Sequence, residues 1–125
     1  MAKFLLDTNI LIDHLRGEPQ ATAFLQEVGT GRIRASISVI TESEILASRT
    51  LSRKQLRDIE ALLAMLPKLA VTSRVARTAA RLQRTYPIDL PDALIAATAS
   101  IAGASLVTRN LKHFRPVKEL HLHVL

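Results

Sequence analysis

"KFLLDTNILIDHL", residues 3–15, joins two apolar segments through a polar triplet. Phe4, Leu5 and Leu6 have the continuous apolar character of a strand buried on both faces. Ile10, Leu11 and Ile12 open a short helix that Gly17 stops. Asp7, Thr8 and Asn9 occupy the seam, with the helix beginning at Thr8 or Asn9. A strand that passes straight into a helix is the unit from which parallel sheets are built. Ligands of such sheets bind beyond the carboxyl ends of the strands, which is where Asp7 falls.

The same alternation continues along the chain. Residues 19–28 read as a helix with Pro19 near its start and Gly29 after it. "RIRASIS" (32–38) reads as a second strand, and "VITESEILAS" leads into a helix from about residue 42. Residues 53–66 carry Leu56, Ile59, Leu63 and Leu66 at helical spacing, an amphipathic helix. "KLAVT" (68–72) is a third strand and 73–85 another helix. "LPDALIAATASIAG" (90–103) is a helix with Pro91 in its first turn and Gly103 as its stop. "SLVT" (105–108) and "LHLHV" (120–124) supply the fourth and fifth strands. The pattern predicts one α/β domain over residues 1–125, a three-layer α/β/α sandwich with a central, mainly parallel sheet of about five short strands.

Composition narrows the chemistry. The 125 residues are 48% hydrophobic, enough for a packed core without staples. There is no Cys, which excludes disulfides and thiolate metal sites. The first residues lack the apolar core of a signal peptide, and no apolar run reaches membrane-spanning length, so a soluble cytoplasmic protein with no membrane partner is expected. Seventeen basic residues against 11 acidic give a net charge of +6, which favours a polyanionic partner. Aromatics are only 3%, too few for a platform that stacks successive bases. Nucleic acid would be met through its phosphates.

Three acids far apart in sequence are expected at one edge. Asp7 ends the first strand, Glu44 lies at the start of the helix after the second, and Asp92 opens the helix 90–103. That helix spans ~18 Å and the four-residue strand after it ~13 Å, so a tight turn returns the strand's end to the level of Asp92, near Thr108, Arg109 and Asn110. Each acid also has a local explanation. Thr41 and Glu44 fit a capping box, Asp89 and Asp92 a capped helix start, and Asp7 a cap for the first helix. A cap, however, needs no particular edge of the sheet. Clustered carboxylates repel one another unless a cation lies between them, and hard divalent ions, Mg²⁺ or Mn²⁺, suit an all-oxygen site. Such an ion on a basic protein points to phosphodiester hydrolysis.

"LLDTNILIDHL", "SISVITESEIL", "LPDALIAATA" and "LVTRNLKHF", in that order across nearly the whole chain, resemble the PIN-domain family and specifically its VapC-type toxins of toxin–antitoxin pairs. The resemblance implies a Mg²⁺- or Mn²⁺-dependent endoribonuclease acting on structured RNA such as tRNA or ribosomal RNA. It also implies a small cognate antitoxin as partner, with a homodimer and a toxin–antitoxin hetero-oligomer as assemblies. The family's acids correspond to Asp7, Glu44 and Asp92, both as catalytic residues and as metal ligands. Thr8 and Asn9 match the polar pair after the first acid, and Thr108 a polar residue near the metals. A fourth acid of the family falls in the Thr-Arg-Asn segment, where this chain has Asn110. Asn carries no charge and would hold a second ion more weakly, with Asp89 as partial compensation.

Arg74, Arg77, Arg81 and Arg84 form one stripe along the helix 73–85 with no Glu between them, a candidate RNA contact together with Arg109. His121 and His123 alternate with Leu on the last strand, as an exposed edge strand explains, and neither His14 nor His113 reads as a general base. An apolar cleft between the helix 53–66 and the helix from 42 is the expected antitoxin seat. Two other functions compete. A non-catalytic PIN-like RNA-binding or regulatory module with a degenerate metal site would bind RNA without cutting it. An aspartyl-phosphate protein would need an acid at the end of the third strand, where Val71 and Thr72 stand, or, in a dehalogenase-type phosphatase, Asp at position 9, which is Asn.

Overall fold

β1 (Lys3–Leu6) runs into α1 (Thr8–Leu15) with Asp7 alone between them. α2 (Pro19–Gly29) leads to β2 (Arg34–Ser38), then to α3 (Val39–Leu46) and α4 (Arg53–Ala64). β3 (Lys68–Leu69), α5 (Ser73–Thr85) and α6 (Leu90–Ala102) follow, and then β4 (Ser105–Val107), α7 (Leu111–Phe114) and β5 (Leu122–His123). The structure, a computed structural model, describes residues 2–125; Met1 lies outside the described residues.

The five strands form one sheet in the order β3-β2-β1-β4-β5, and every neighbouring pair is parallel. The chain builds outward from β1 through β2 to β3, then returns to lay β4 against the other side of β1. The winding therefore reverses between β1 and β4. At such a switch point the flanking connections diverge to opposite faces and leave a crevice at the carboxyl ends of the strands.

Successive residues of β1 serve opposite layers. Leu5 joins Val75, Ala79 and Leu82 of α5 and Ala93, Ala96 and Ala97 of α6. Leu6 joins Ile10 and Leu11 of α1, Leu25 of α2 and Ile59 of α4. Both leucines are fully buried, which is why β1 reads as an unbroken apolar run rather than an alternating one. Burial of this kind contributes about 1.5–3 kcal/mol per leucine, so β1 is firmly anchored from both sides. The three-layer sandwich expected from the sequence is present, with its sheet wholly parallel.

Local departures have local causes. The helix expected from about residue 42 begins at Val39, because Ser38, the last residue of β2, caps it: Ser38 Oγ accepts from the Ile40 N–H at 3.0 Å. Thr41 is consequently no cap, the Thr41–Glu44 capping box does not form, and Glu44 lies beyond the first turn. The third strand keeps only residues 68–69 of the expected 68–72, since Thr72 leaves it to cap α5 by accepting from the Val75 N–H at 3.1 Å. The fifth strand pairs only through Leu122 and His123. The one-turn α7 went unread because four residues carry no periodicity. Gly103 ends α6 at φ +66°, the left-handed turn that sends the chain directly back into β4.

Candidate active site

The switch point is closed by Asp7. Its N–H donates to the Val107 carbonyl at 2.9 Å, stitching the end of β1 to the end of β4. Its carboxylate caps α1, with Oδ1 accepting from the Thr8 N–H at 2.8 Å. Oδ2 accepts from the Thr108 hydroxyl at 2.8 Å and from Asn9 Nδ2 at 3.3 Å. The expected cap and the expected edge position are therefore the same arrangement. Asp7 is only 4% exposed, and burial raises its pKa above the ordinary value. The bonds from Thr108, Thr8 and Asn9 and the nearby His113 oppose that rise without cancelling it.

Thr108 and Asn9 lock the two sides of the crevice together. Besides donating to Asp7, the Thr108 hydroxyl accepts from the Asn110 N–H at 3.0 Å and lies 3.4 Å from Asn9 Nδ2. Asn9 Oδ1 accepts from the Arg109 N–H at 3.1 Å. On the other flank the Thr8 hydroxyl donates to Glu44 Oε1 at 2.7 Å and lies 3.2 Å from the Thr41 hydroxyl. Glu44 is exposed, whereas Thr41 is fully buried beneath it. Among the described residues, four of the five buried polar ones, Asp7, Ser38, Thr41 and Thr108, lie at this one edge of the sheet. Burying polar groups is costly unless each is bonded, so their concentration here marks the edge as a built site rather than a chance collection.

Asp92 faces Asp7 from the first turn of α6. Asp89 caps that helix, its Oδ1 accepting from the Asp92 N–H at 3.1 Å, as the sequence suggests. Burial is the largest cause of a raised pKa at Asp92, followed by the charges of Asp89 and then Asp7. His113 opposes these effects, with Nδ1 3.2 Å from Asp92 Oδ2.

These features bear on a divalent ion. Both carboxyls are raised, Asp7 by burial and Asp92 by burial and by the charges of Asp89 and Asp7; a cation at this edge would favour the ionised form of both. Among the described residues no three acidic or imidazole groups close on a single point, so Glu44 does not join Asp7 and Asp92 as a ready three-acid cage. The donors fit Mg²⁺ or Mn²⁺ in another manner. Mg²⁺ keeps several waters and takes one or two carboxylates together with substrate phosphate, a demand that Asp7 and Asp92 can meet without Glu44.

Other expected residues fall elsewhere. Asn110 contributes its backbone N–H to Thr108, while its exposed side chain makes no capping bond to α7. Arg109 is exposed and pairs with Asp13 of α1 at 2.6 Å. Arg74, Arg77, Arg81 and Arg84 are all exposed on α5, which packs along α6 and is joined to it by residues 86–89, so Arg84 is the member of the stripe nearest in sequence to the start of α6 and Asp92. The stripe is not uniform: Glu119, from the loop before β5, pairs with Arg81 at 2.9 Å and accepts from the Tyr86 hydroxyl at 2.8 Å. His14 meets Thr22, and the His123 ring packs on Phe4 with centroids 4.9 Å apart. His113 and Asp13 are the site residues that sequence reasoning missed. The only sequence signal for His113 was its place one turn past the Thr-Arg-Asn segment.

Comparison with known proteins agrees with this architecture. Residues 4–120 match the family described as PIN domain. The chain is 38% identical to Ribonuclease VapC19 of Mycobacterium tuberculosis over 115 residues, which cover 88% of this chain and 90% of that protein. It is 35% identical to Ribonuclease VapC10 of the same organism over 122 residues, covering 93% and 89%. Among solved structures, the DNA-bound VapBC of Salmonella typhimurium matches with a TM-score of 0.82 at 28% identity, covering 99% of this chain and 98% of that one. A fold wound around β1, an acid at the switch point and this full-length similarity lead to one conclusion: the chain belongs to the PIN-domain family, among its VapC-type members.

Proposed function

We propose that residues 1–125 act as one nuclease domain, a Mg²⁺- or Mn²⁺-dependent endoribonuclease toxin that hydrolyses phosphodiester bonds in structured RNA, tRNA or ribosomal RNA, in the cytoplasm. The observation that carries this reading is the placing of a buried carboxylate, Asp7, at the sheet switch point, close enough to Asp92 for its charge to act there, on a protein of net charge +6. The ribonuclease names of the relatives support it.

Asp7 and Asp92 would hold the ion, with Glu44 reaching the site alongside Thr8. When bound, the ion supplies Lewis acidity and neutralises charge at the phosphate. The chain's own residues do the rest. Thr108 and Asn9 fix Asp7 Oδ2, Thr8 holds Glu44, and Arg109, beside Asn9, together with the exposed Arg84 would meet the phosphate backbone. Arg74 and Arg77, further along α5, would extend that contact. Among the described residues no helix is long and apolar enough to cross a membrane.

The partner in this reading is a small antitoxin, as the VapBC complexes among the structural neighbours suggest. A cleft of about 360 Å³ between α1, α3 and α4 offers it a seat, lined by Ile12, Leu15, Ile45, Leu51 and Ile59 and reaching Glu44. A segment bound there would lie against the site, and homodimeric toxin–antitoxin assemblies would follow. The test is cleavage of structured RNA by the parent and by Asp7→Asn, each with and without EDTA. Metal-dependent cleavage by the parent alone is expected. Equal cleavage by both proteins overturns the reading. RNA binding with no cleavage under any condition would favour a non-catalytic module.

A further inference from the structure

The segment that follows β4 reaches both acids. Thr108, its first residue, donates to Asp7 Oδ2, and His113, on α7, brings Nδ1 to 3.2 Å from Asp92 Oδ2. Where Asp92 is ionised, as an ion ligand must be, it can only accept, and Nδ1–H is then the donor in this contact. Among the described residues no side-chain or backbone donor meets Asp92 Oδ1, which leaves that oxygen for an external ligand.

The turn bearing His113 is held in place at several points. The His113 N–H donates to the Asn110 carbonyl at 3.1 Å, and Asn110 in turn donates to Thr108. Arg109 is tied to α1 through Asp13 and Asn9. Phe114, the next residue, is fully buried in the core shared with α6. His113 itself is different, because its side chain is 59% exposed and packs little. Among the described residues its side chain's one polar contact is Asp92.

We infer that His113 is a positioning residue for the divalent ion of the proposed site: by holding Asp92 Oδ2 it presents Oδ1 as the ligand, as Thr108 does for Asp7 from the same segment. The inference rests on the metal-dependent reading above. It moves the role expected of Asn110 one turn along the chain and changes its chemistry. In place of a fourth acid that binds the ion, the chain has an imidazole that orients an acid already there. Partners that orient a metal-binding carboxylate in this way typically change metal affinity by about 10- to 100-fold.

The test is Mn²⁺ binding to the full chain by titration calorimetry, for the parent, His113→Ala and His113→Asn. The amide of Asn places an N–H close to where Nδ1 stands, whereas Ala removes it. Ala should weaken Mn²⁺ binding at least about 10-fold, and Asn should restore it to within a few-fold of the parent. With chelator present, all three should unfold at the same temperature, as expected of an exposed side chain. Unchanged affinity in the Ala variant overturns the inference, as does an equal loss in Ala and Asn or a lowered unfolding temperature that accounts for the weaker binding. A parent that takes up no Mn²⁺ overturns the metal reading itself, and the role of His113 with it.

Discussion

Replacing Thr108 by valine keeps the shape of a buried side chain and removes only its hydroxyl. That hydroxyl donates at 2.8 Å to Asp7 Oδ2, and both residues are almost fully buried, so water cannot take its place. A bond to an ionised partner contributes about 1.5–3 kcal/mol. The Asn110 N–H deprived of its acceptor belongs to an exposed residue, where water replaces the bond at little cost. The added methyl recovers up to about 0.8 kcal/mol. The net loss at neutral pH is about 1–2 kcal/mol, or roughly 4–8 °C for a chain of this length. The effect also carries a pH signature. Burial already holds the Asp7 pKa above its ordinary 3.8, and the Thr108 bond is the largest influence opposing that rise. In the variant it rises further. A carboxyl whose folded pKa is raised binds more protons folded than unfolded, so its penalty is absent below the unfolded value and full above the folded one. The deficit of Thr108→Val should therefore be largest at about pH 7 and shrink as pH falls toward about 4. Thermal unfolding in chelator, parent against variant, measures both quantities. An unchanged unfolding temperature at neutral pH, or an equal deficit at both pH values, would refute the picture of a hydroxyl holding a buried, ionised Asp7.

Asp7→Asn, which should abolish cleavage, should also unfold no lower than the parent in chelator and gain on the order of 0.5–2 kcal/mol, because it removes a buried charge that the site disfavours; a drop of several degrees would contradict this. Joint alanine replacement of Arg74, Arg77 and Arg84 should flatten the salt dependence of RNA binding by about 0.7 in slope for each phosphate no longer neutralised. An unchanged slope would remove α5 from the interface. Glu119→Gln tests the strap across the stripe: the Tyr86 hydroxyl and then Arg81 hold the Glu119 carboxyl below its ordinary 4.5. Its contribution is present above that value and disappears as pH falls through the lowered folded one. The group is well exposed, so solvent screening keeps the contribution below about 1 kcal/mol, and the variant's deficit in thermal unfolding should vanish in acid.

The fold was legible because its strands are buried on both faces and its helices carry their own stops. Leu5 and Leu6 serve two different cores, which leaves no polar residue to break the run, and Gly17 and Gly103 end helices where the sequence suggested. The helix starts were harder to place. Ser38 is at once the last residue of β2 and the cap of α3, and a residue with two roles looks like neither when read locally. The Thr-Glu-Ser-Glu stretch downstream imitates a capping box well, yet Thr41 is drawn inward beside Thr8 because the sheet edge needs a buried polar group there. Thr72 shortened β3 in the same way.

At the site, legibility followed the distance over which each residue acts. Asp7 and Asp92 sit at ends of elements, so topology alone predicts that they approach, and in the structure Asp92 feels the charge of Asp7. His113 acts on a carboxyl 21 residues away through a turn too short to show a pattern. Arg109 and Asp13 meet beside the contacts that Asn9 makes to Arg109 and Thr108 across the crevice. The sequence pattern therefore favoured Asn110, the polar residue directly after Thr108 and Arg109. A backbone that turns there spends Asn110 on Thr108 through its N–H and carries the next functional side chain three residues further on. The contact with an acid expected at Asn110 is made one helical turn away, by His113. Asp7 and Asp92 can be read from element ends, whereas Thr108 and His113, which bond them, belong to the turn after β4 and follow its geometry rather than its order in sequence.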